Sequence, residues 1–233
     1  MSTIRTIARG VLFWLLWVFA TLAGLLVYWA LLQASGVEAQ LVSLLESWIG
    51  IEGTNLRVFE FATNGLLGLI EGLTIGLFQW FALRRRIKRA LAWIPATGLG
   101  FALGLVAFWA SFVFITGDQL PQGNPTEWAF EVGLLRSSLI GLFLGLAQWL
   151  VLFRQFRGHA WWVPTILLAV IGSWFSQWFL SKGLAFIILG AVTGIPLALM
   201  LLSRERARIA LEKEASIPEK REDPLKRLDQ WIS

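Results

Sequence analysis

Two charged residues of this 233-residue chain fall inside long apolar runs, and they are where chemistry is most readily placed. Glu71 lies near the middle of the run 62–83, and Arg136 lies close to the start of the run 134–153. A carboxylate at such a depth must be neutralised, hydrated or paired, so Glu71 has three options: take up a proton, hold a cation, or meet a base. On a helix at 100° per residue, with Glu71 as origin, Asn64 falls at about 20°, Gly68 at about 60°, Gln79 at about 80° and Gly72 at about 100°. Acid, amides and glycines therefore share one face. In the structural reading, Glu71 and Arg136 form a buried pair that fixes the register of two helices. In the functional reading, Glu71 lines a water-filled passage, with Asn64, Thr74, Ser137 and Ser138 as secondary contacts.

Other chemistries lack their residues. There is no cysteine and a single histidine, His159, so disulfide frameworks, thiolate metal sites and multi-histidine metal or haem sites are excluded. No H-E-x-x-H, G-x-S-x-G or phosphate-binding glycine loop occurs, so no enzyme class and no cofactor is indicated. The 14 tryptophans leave bound pigment, quinone or lipid as a lesser option.

The elements that position these residues are long and apolar. The chain is 57% hydrophobic and only 15% charged, with a mean hydropathy of +0.67, which excludes a soluble globular domain. Six runs, about 11–32, 62–83, 91–116, 134–153, 160–180 and 183–203, each reach the bilayer-spanning length. Backbone in hydrocarbon must bond internally, and runs this rich in Leu, Ala and Gly do so as helices rather than alternating barrel strands. The expected fold is all-α, a six-helix transmembrane domain over 1–203 with a charged tail over 204–233.

Basic residues set the orientation. Seventeen of the 20 Lys and Arg lie at the N-terminus, in the turns at 84–89 and 154–157, and in the tail, all on one face of the six-span topology. The other face carries only Arg57 and Lys182 in its loops, beside Glu38, Glu46, Glu52, Glu60, Asp118, Glu127 and Glu131. The positive-inside rule then places both termini in the cytoplasm. A cleaved signal peptide is the competing reading of the N-terminus, but its apolar core of about 22 residues exceeds the usual length of about 7–15. The net charge of +5 needs no nucleic-acid partner, because anionic lipid headgroups face the basic turns.

The chain also repeats itself. At a constant offset of 69, Gly72, Gly76, Gln79, Trp80, Leu83, Arg85, Trp93 and Pro95 match Gly141, Gly145, Gln148, Trp149, Leu152, Arg154, Trp162 and Pro164. Spans two and three thus repeat as spans four and five, one basic-turned hairpin written twice. Gly190 and Gly194 reproduce the paired glycines in span six, and WVFATLAG from Trp17 to Gly24 resembles WIPATGLG from Trp93 to Gly100. Spans six and one would then form a third hairpin opened at its turn, which requires them to be neighbours. The repeat, over about 72–100 and 141–174, resembles an uncharacterised group of bacterial polytopic membrane proteins, familiar from cyanobacteria, that carry a G-x3-G-x2-Q-W-x2-L-R turn followed by a W-x-P helix. That resemblance implies a bacterial cytoplasmic membrane, or a thylakoid membrane in a cyanobacterium, and no activity.

Glycines four apart let helices approach closely. Gly68, Gly72 and Gly76, then Gly141 and Gly145, and Gly100 and Gly104, are the expected packing positions, within the chain or in a dimer. Trp80, Trp93, Trp149, Trp161 and Trp162 are expected at cytoplasmic helix ends as headgroup anchors, with Trp29, Trp109, Trp128 and Trp178 toward the other boundary. Gln79 and Gln148 are expected to brace the adjacent turn, or else to line an inner vestibule.

Residues 37–51 form an amphipathic helix that either lies on the outer leaflet or caps the bundle. Residues 117–127 form an irregular acidic loop. The tail continues the sixth helix and ends in a short apolar face of Leu225, Leu228, Trp231 and Ile232 after an Asp223-Pro224 start. Partners expected from these surfaces are the bilayer and other membrane-complex subunits. The functional expectation is a non-catalytic accessory or assembly protein, with a small-solute or ion carrier using Glu71 as the alternative and pigment, quinone or lipid binding as a third.

Overall fold

A computed structural model describes residues 2–34, 36–49, 55–116, 125–153, 155–156, 159–179 and 182–216. All secondary structure among them is helical: α1 (Ser2–Trp29), α2 (Val37–Ile49), α3 (Asn55–Leu83), α4 (Trp93–Thr116), α5 (Pro125–Leu152), α6 (Trp162–Phe179) and α7 (Lys182–Ser216). A π-helical turn, Ala30–Ala34, extends α1, and 3-10 turns at Ala90–Ala92 and His159–Trp161 lead into α4 and α6. Four stretches are long and apolar enough to cross a membrane, namely Ile7–Leu32, Arg57–Leu83, Ala90–Ile115 and Ala129–Leu152, and α7 holds a shorter apolar stretch, Ile187–Ser203. The apolar loop residue Ile51, the acidic loop over 117–124, Arg154 and Arg157, and the apolar end of the tail lie outside the described residues.

The long helices close into a ring. α1 packs on α3, α3 on α4, α4 on α5, α5 on α6, α6 on α7, and α7 returns to α1. The first and last helices are therefore neighbours, joined by a hydrogen bond from Trp14 Nε1 to the Ala191 carbonyl at 2.9 Å. The ring is apolar outside, and its largely apolar core holds a set of polar side chains. Phe19, Leu103, Leu150, Leu168 and Leu199 are exposed on its outer surface, whereas Thr21, Gln79, Thr97, Gln148 and Thr193 are buried. Lipid tails favour that distribution and water opposes it.

Glycine makes the close packing possible. Gly72 and Gly76 of α3 lie against Thr97, Gly98 and Ile94 of α4, and Gly68 lies against Leu105 and Phe101. At an offset of 69, Gly141 and Gly145 of α5 lie against Leu167 and Val163 of α6. Gly190 and Gly194 of α7 meet Val18 and Trp14 of α1. A second set joins one pair of helices to the next: a Cβ on Gly24 would come within 2.7 Å of Ile75 Cα, one on Gly100 within 2.7 Å of Leu144 Cα, and one on Gly104 within 2.6 Å of Ile140 Cα. Each of these glycines lies against another helix of this chain.

The two turns between hairpin helices close alike. Backbone N–H groups of Arg86 and Ile87 bond the Leu83 carbonyl, as those of Gln155 and Phe156 bond Leu152. Ile87 and Phe156 tuck inward and are buried. Arg89, at φ 63°, turns the chain through the left-handed region into the 3-10 turn. Arg84 lies over the rings of Trp80 and Phe81, and Arg86 over Phe13 of α1. α2 has no buried residue and packs beside α3 and the Ala30–Ala34 turn, leaving Val37, Leu44 and Trp48 exposed.

Candidate functional site

Three tryptophans meet inside the ring. Trp17, Trp93 and Trp162 come from α1, α4 and α6 and are at most 1% exposed. Trp93 stands edge-on to both others, with ring centroids 5.7 Å away in each case. An indole N–H buried in this way calls for an acceptor, and polar side chains supply one to Trp17 and to Trp93.

Trp93 Nε1 donates to Gln79 Oε1 at 2.9 Å, and Gln79 Nε2 donates to Thr21 Oγ1 at 3.1 Å. Thr21 Oγ1 donates to the Trp17 carbonyl, and Trp17 Nε1 donates to Thr193 Oγ1 at 3.0 Å. One hydrogen-bonded chain therefore links α4, α3, α1 and α7. A second runs from Gln148 Nε2 to Thr97 Oγ1 at 3.0 Å and on to the Trp93 carbonyl, tying α5 to α4. Residues of all six helices of the ring surround a cavity of about 20 Å³ at this level, among them Thr21, Gln79, Thr97, Gln148 and Thr193. Two buried polar atoms of α5 and α6 have no partner, Gln148 Oε1 and Trp162 Nε1; Gln148 lines the cavity and Trp162 does not.

This girdle revises the reading of the tryptophans. Trp93 and Trp162 are buried core residues, not headgroup anchors, because the first turns of α4 and α6 aim them at the ring axis. Trp161, one residue earlier, is 73% exposed and does face outward, and Trp29 is also exposed. The side chains of Trp128 and Trp178 lie outside the described part. Gln79 and Gln148 brace neighbouring helices instead of the turn, and both line the cavity. Sequence reasoning missed Trp17, Thr21, Thr97 and Thr193. Its available signal was the shared W-x3-T spacing of Trp17 with Thr21 and Trp93 with Thr97.

The charged pair lies elsewhere. Glu71 of α3 and Arg136 of α5 act on each other electrostatically, although α4 stands between their helices in the ring. Tyr28 of α1 is within electrostatic reach of both, and of Glu38 from α2. Glu71 is partly exposed and Arg136 exposed, and among the described residues no direct ion pair joins them. The predicted secondary contacts are turned to their own helices: Asn64 Nδ2 donates to the Glu60 carbonyl, Thr74 Oγ1 to Ile70 and Ser137 Oγ to Leu134. No group of three or more metal-ligating side chains occurs among the described residues. In comparisons with known proteins, the chain matches no protein-family model, no curated protein and no solved structure.

Proposed function

We propose that this chain is a six-span integral membrane protein with a structural role, a non-catalytic accessory or assembly subunit of a bacterial membrane complex. The six spans are α1 and α3 to α7, arranged as hairpins α3–α4, α5–α6 and α7–α1, with the termini and basic turns cytoplasmic. Matching glycine contacts and matching turns at an offset of 69 support the repeated hairpin. The distribution of Lys and Arg supports the sidedness, and the glutamine-tryptophan motif supports a bacterial cytoplasmic or thylakoid membrane.

The observation that carries the structural role is how the interior polar groups are used. A conduit presents its polar side chains to a continuous wet path. Here the bonds from Gln79 to Thr21 and from Gln148 to Thr97 cross from one hairpin to the next, and those of Trp93 to Gln79 and of Trp17 to Thr193 tie helices within a hairpin, around a cavity of about 20 Å³. Rocking one hairpin against the next would break the bonds between them with no replacement in sight. Extraction in mild detergent, followed by native electrophoresis and mass spectrometry of proteins and small molecules, tests this role. A fixed-ratio assembly with another membrane protein is the expected result. A lone chain that moves a solute across liposomes contradicts it.

A carrier is the second reading, favoured by the convergence of Tyr28, Glu71 and Arg136 from three helices. Under that reading Glu71→Gln abolishes proton-coupled or cation-coupled uptake in liposomes while the fold is retained. Uptake that is absent in the parent chain, or unchanged by the substitution, removes it.

A further inference from the structure

We propose that Tyr28, Glu71 and Arg136 form a binding cup for a small zwitterion, a molecule that carries a primary ammonium together with a carboxylate or phosphate. The cup lies at the end of the ring away from the basic turns, and the proposal rests on neither role considered above.

Helix geometry sets two of the three groups toward the ring axis. Tyr28 stands about 20° around α1 from Thr21, and Glu71 about 40° around α3 from Ile75, both of which line the cavity. The outer surface lies elsewhere on these helices: Leu26 is about 160° from Tyr28 and Leu77 about 120° from Glu71, and both leucines are exposed. At 1.5 Å per residue, Glu71 is about 6 Å from the level of Ile75, Tyr28 about 10 Å from that of Thr21, and Arg136 about 12 Å from that of Leu144, all toward the same end of the ring. Glu71 is thus the deepest of the three, with Tyr28 and Arg136 nearer the mouth. Tyr28 and Glu71 are partly exposed and Arg136 is exposed, so open space adjoins each of them. Beneath them the girdle closes the interior, beginning with the bond from Gln79 to Thr21.

The three groups are also unpartnered. The Tyr28 hydroxyl, the Glu71 carboxylate and the Arg136 guanidinium make no hydrogen bond or ion pair among the described residues, although each is within electrostatic reach of the other two. A charge midway along an apolar span must be paired or hydrated. Two charges kept only to fix helix register would meet directly. These are held apart, with α4 between their helices.

The unmet groups decide the ligand. A lone cation answers Glu71 and leaves Arg136 with a second positive neighbour, and a lone anion does the reverse. A zwitterion answers both. Its ammonium donates to the Glu71 carboxylate, and its anionic group accepts from the forked Arg136 guanidinium and from the Tyr28 hydroxyl. Free amino-acid-like solutes and the ethanolamine phosphate headgroup of a lipid share that chemistry.

Thermal unfolding of the full chain in nanodiscs of phosphatidylglycerol, which carries no ammonium, tests the cup. Glycine, γ-aminobutyrate and phosphoethanolamine are the soluble zwitterions, phosphatidylethanolamine added to the discs is the lipid one, and ethylammonium and acetate are the single-charge probes. Saturable stabilisation by at least one zwitterion, and none by either single-charge probe, is expected. Glu71→Gln and Arg136→Gln should each weaken that binding about tenfold or more, and Tyr28→Phe should weaken it less. Phosphatidylethanolamine separates the sources: stabilisation by it that is lost in Glu71→Gln identifies the headgroup, and an undiminished response to a soluble zwitterion in its presence identifies a free solute. No response to any zwitterion, or an equal response to ethylammonium or acetate alone, overturns the proposal without a variant that must fold. Binding retained in both Glu71→Gln and Arg136→Gln overturns it as well. Nothing is transported in this assay, so its failure and that of the accessory or carrier reading are separate results.

Discussion

Gln79 is the joint at which the girdle is most exposed to test. Replacing it with leucine removes the bonds to Trp93 and Thr21 and strands a fully buried indole N–H. Interhelical hydrogen bonds in membranes average about 0.6 kcal/mol and reach about 1.7 kcal/mol. A stranded buried donor adds about 1–3 kcal/mol. Gln79→Leu should therefore cost about 2–4 kcal/mol of stability. Trp93→Phe keeps an aromatic ring between Trp17 and Trp162 but loses the donor. In the double variant neither partner is stranded, so its cost should fall below the sum of the singles by about 1–2 kcal/mol. Reversible unfolding by sodium dodecyl sulfate in mixed micelles, followed by far-ultraviolet circular dichroism, measures all three. Additivity within about 0.5 kcal/mol would show that the bond does not couple the helices and would refute the reasoning.

Other consequences follow from the same contacts. Gly100→Ala pushes a methyl into Leu144 of the next hairpin and should destabilise by about 1–3 kcal/mol in the same assay, whereas Gly172→Ala, with nothing within 4 Å of the new methyl, should leave stability unchanged or raised. Since the chain has no cysteine, Val18→Cys with Gly190→Cys gives a clean test of ring closure: oxidation should link α1 to α7 and hold the halves together after loop cleavage. Single spin labels on α2 should separate two faces, with Leu44→Cys accessible to oxygen in lipid and Ser43→Cys to a water-soluble nickel reagent. Equal aqueous access at both sites would mean that the exposed Val37, Leu44 and Trp48 stripe does not lie in lipid.

The helices were legible because length and apolarity decide them, and the glycine contacts because a side chain that is absent can only matter through what comes close. The repeated Gln79 and Gln148 drew notice as amides in apolar surroundings. Their partners did not, since a threonine within a helix commonly bonds its own backbone, as Thr21, Thr97 and Thr193 all do. Only ring closure brings those hydroxyls to an amide or indole of another helix. Tryptophan was misread for a related reason. Distance from a basic turn sets depth, but direction is set by rotation about the helix, and Trp161 and Trp162 differ by one residue and by 73% exposure against none. Glu71 and Arg136 were legible as charges out of place. Their separation by α4 was not, because spacing along one helix gives no information about which helix stands next to it.

The central claim is that the polar groups inside the ring lock the helices to one another and do not line a path across it. Single cysteines in place of Ile75 and Leu189, both of which line the cavity, test it most directly when membrane-impermeant thiol reagents are applied from each side in turn. The account predicts no labelling from either side in folded protein and full labelling after denaturation. Labelling of either cysteine from one or both sides would contradict it.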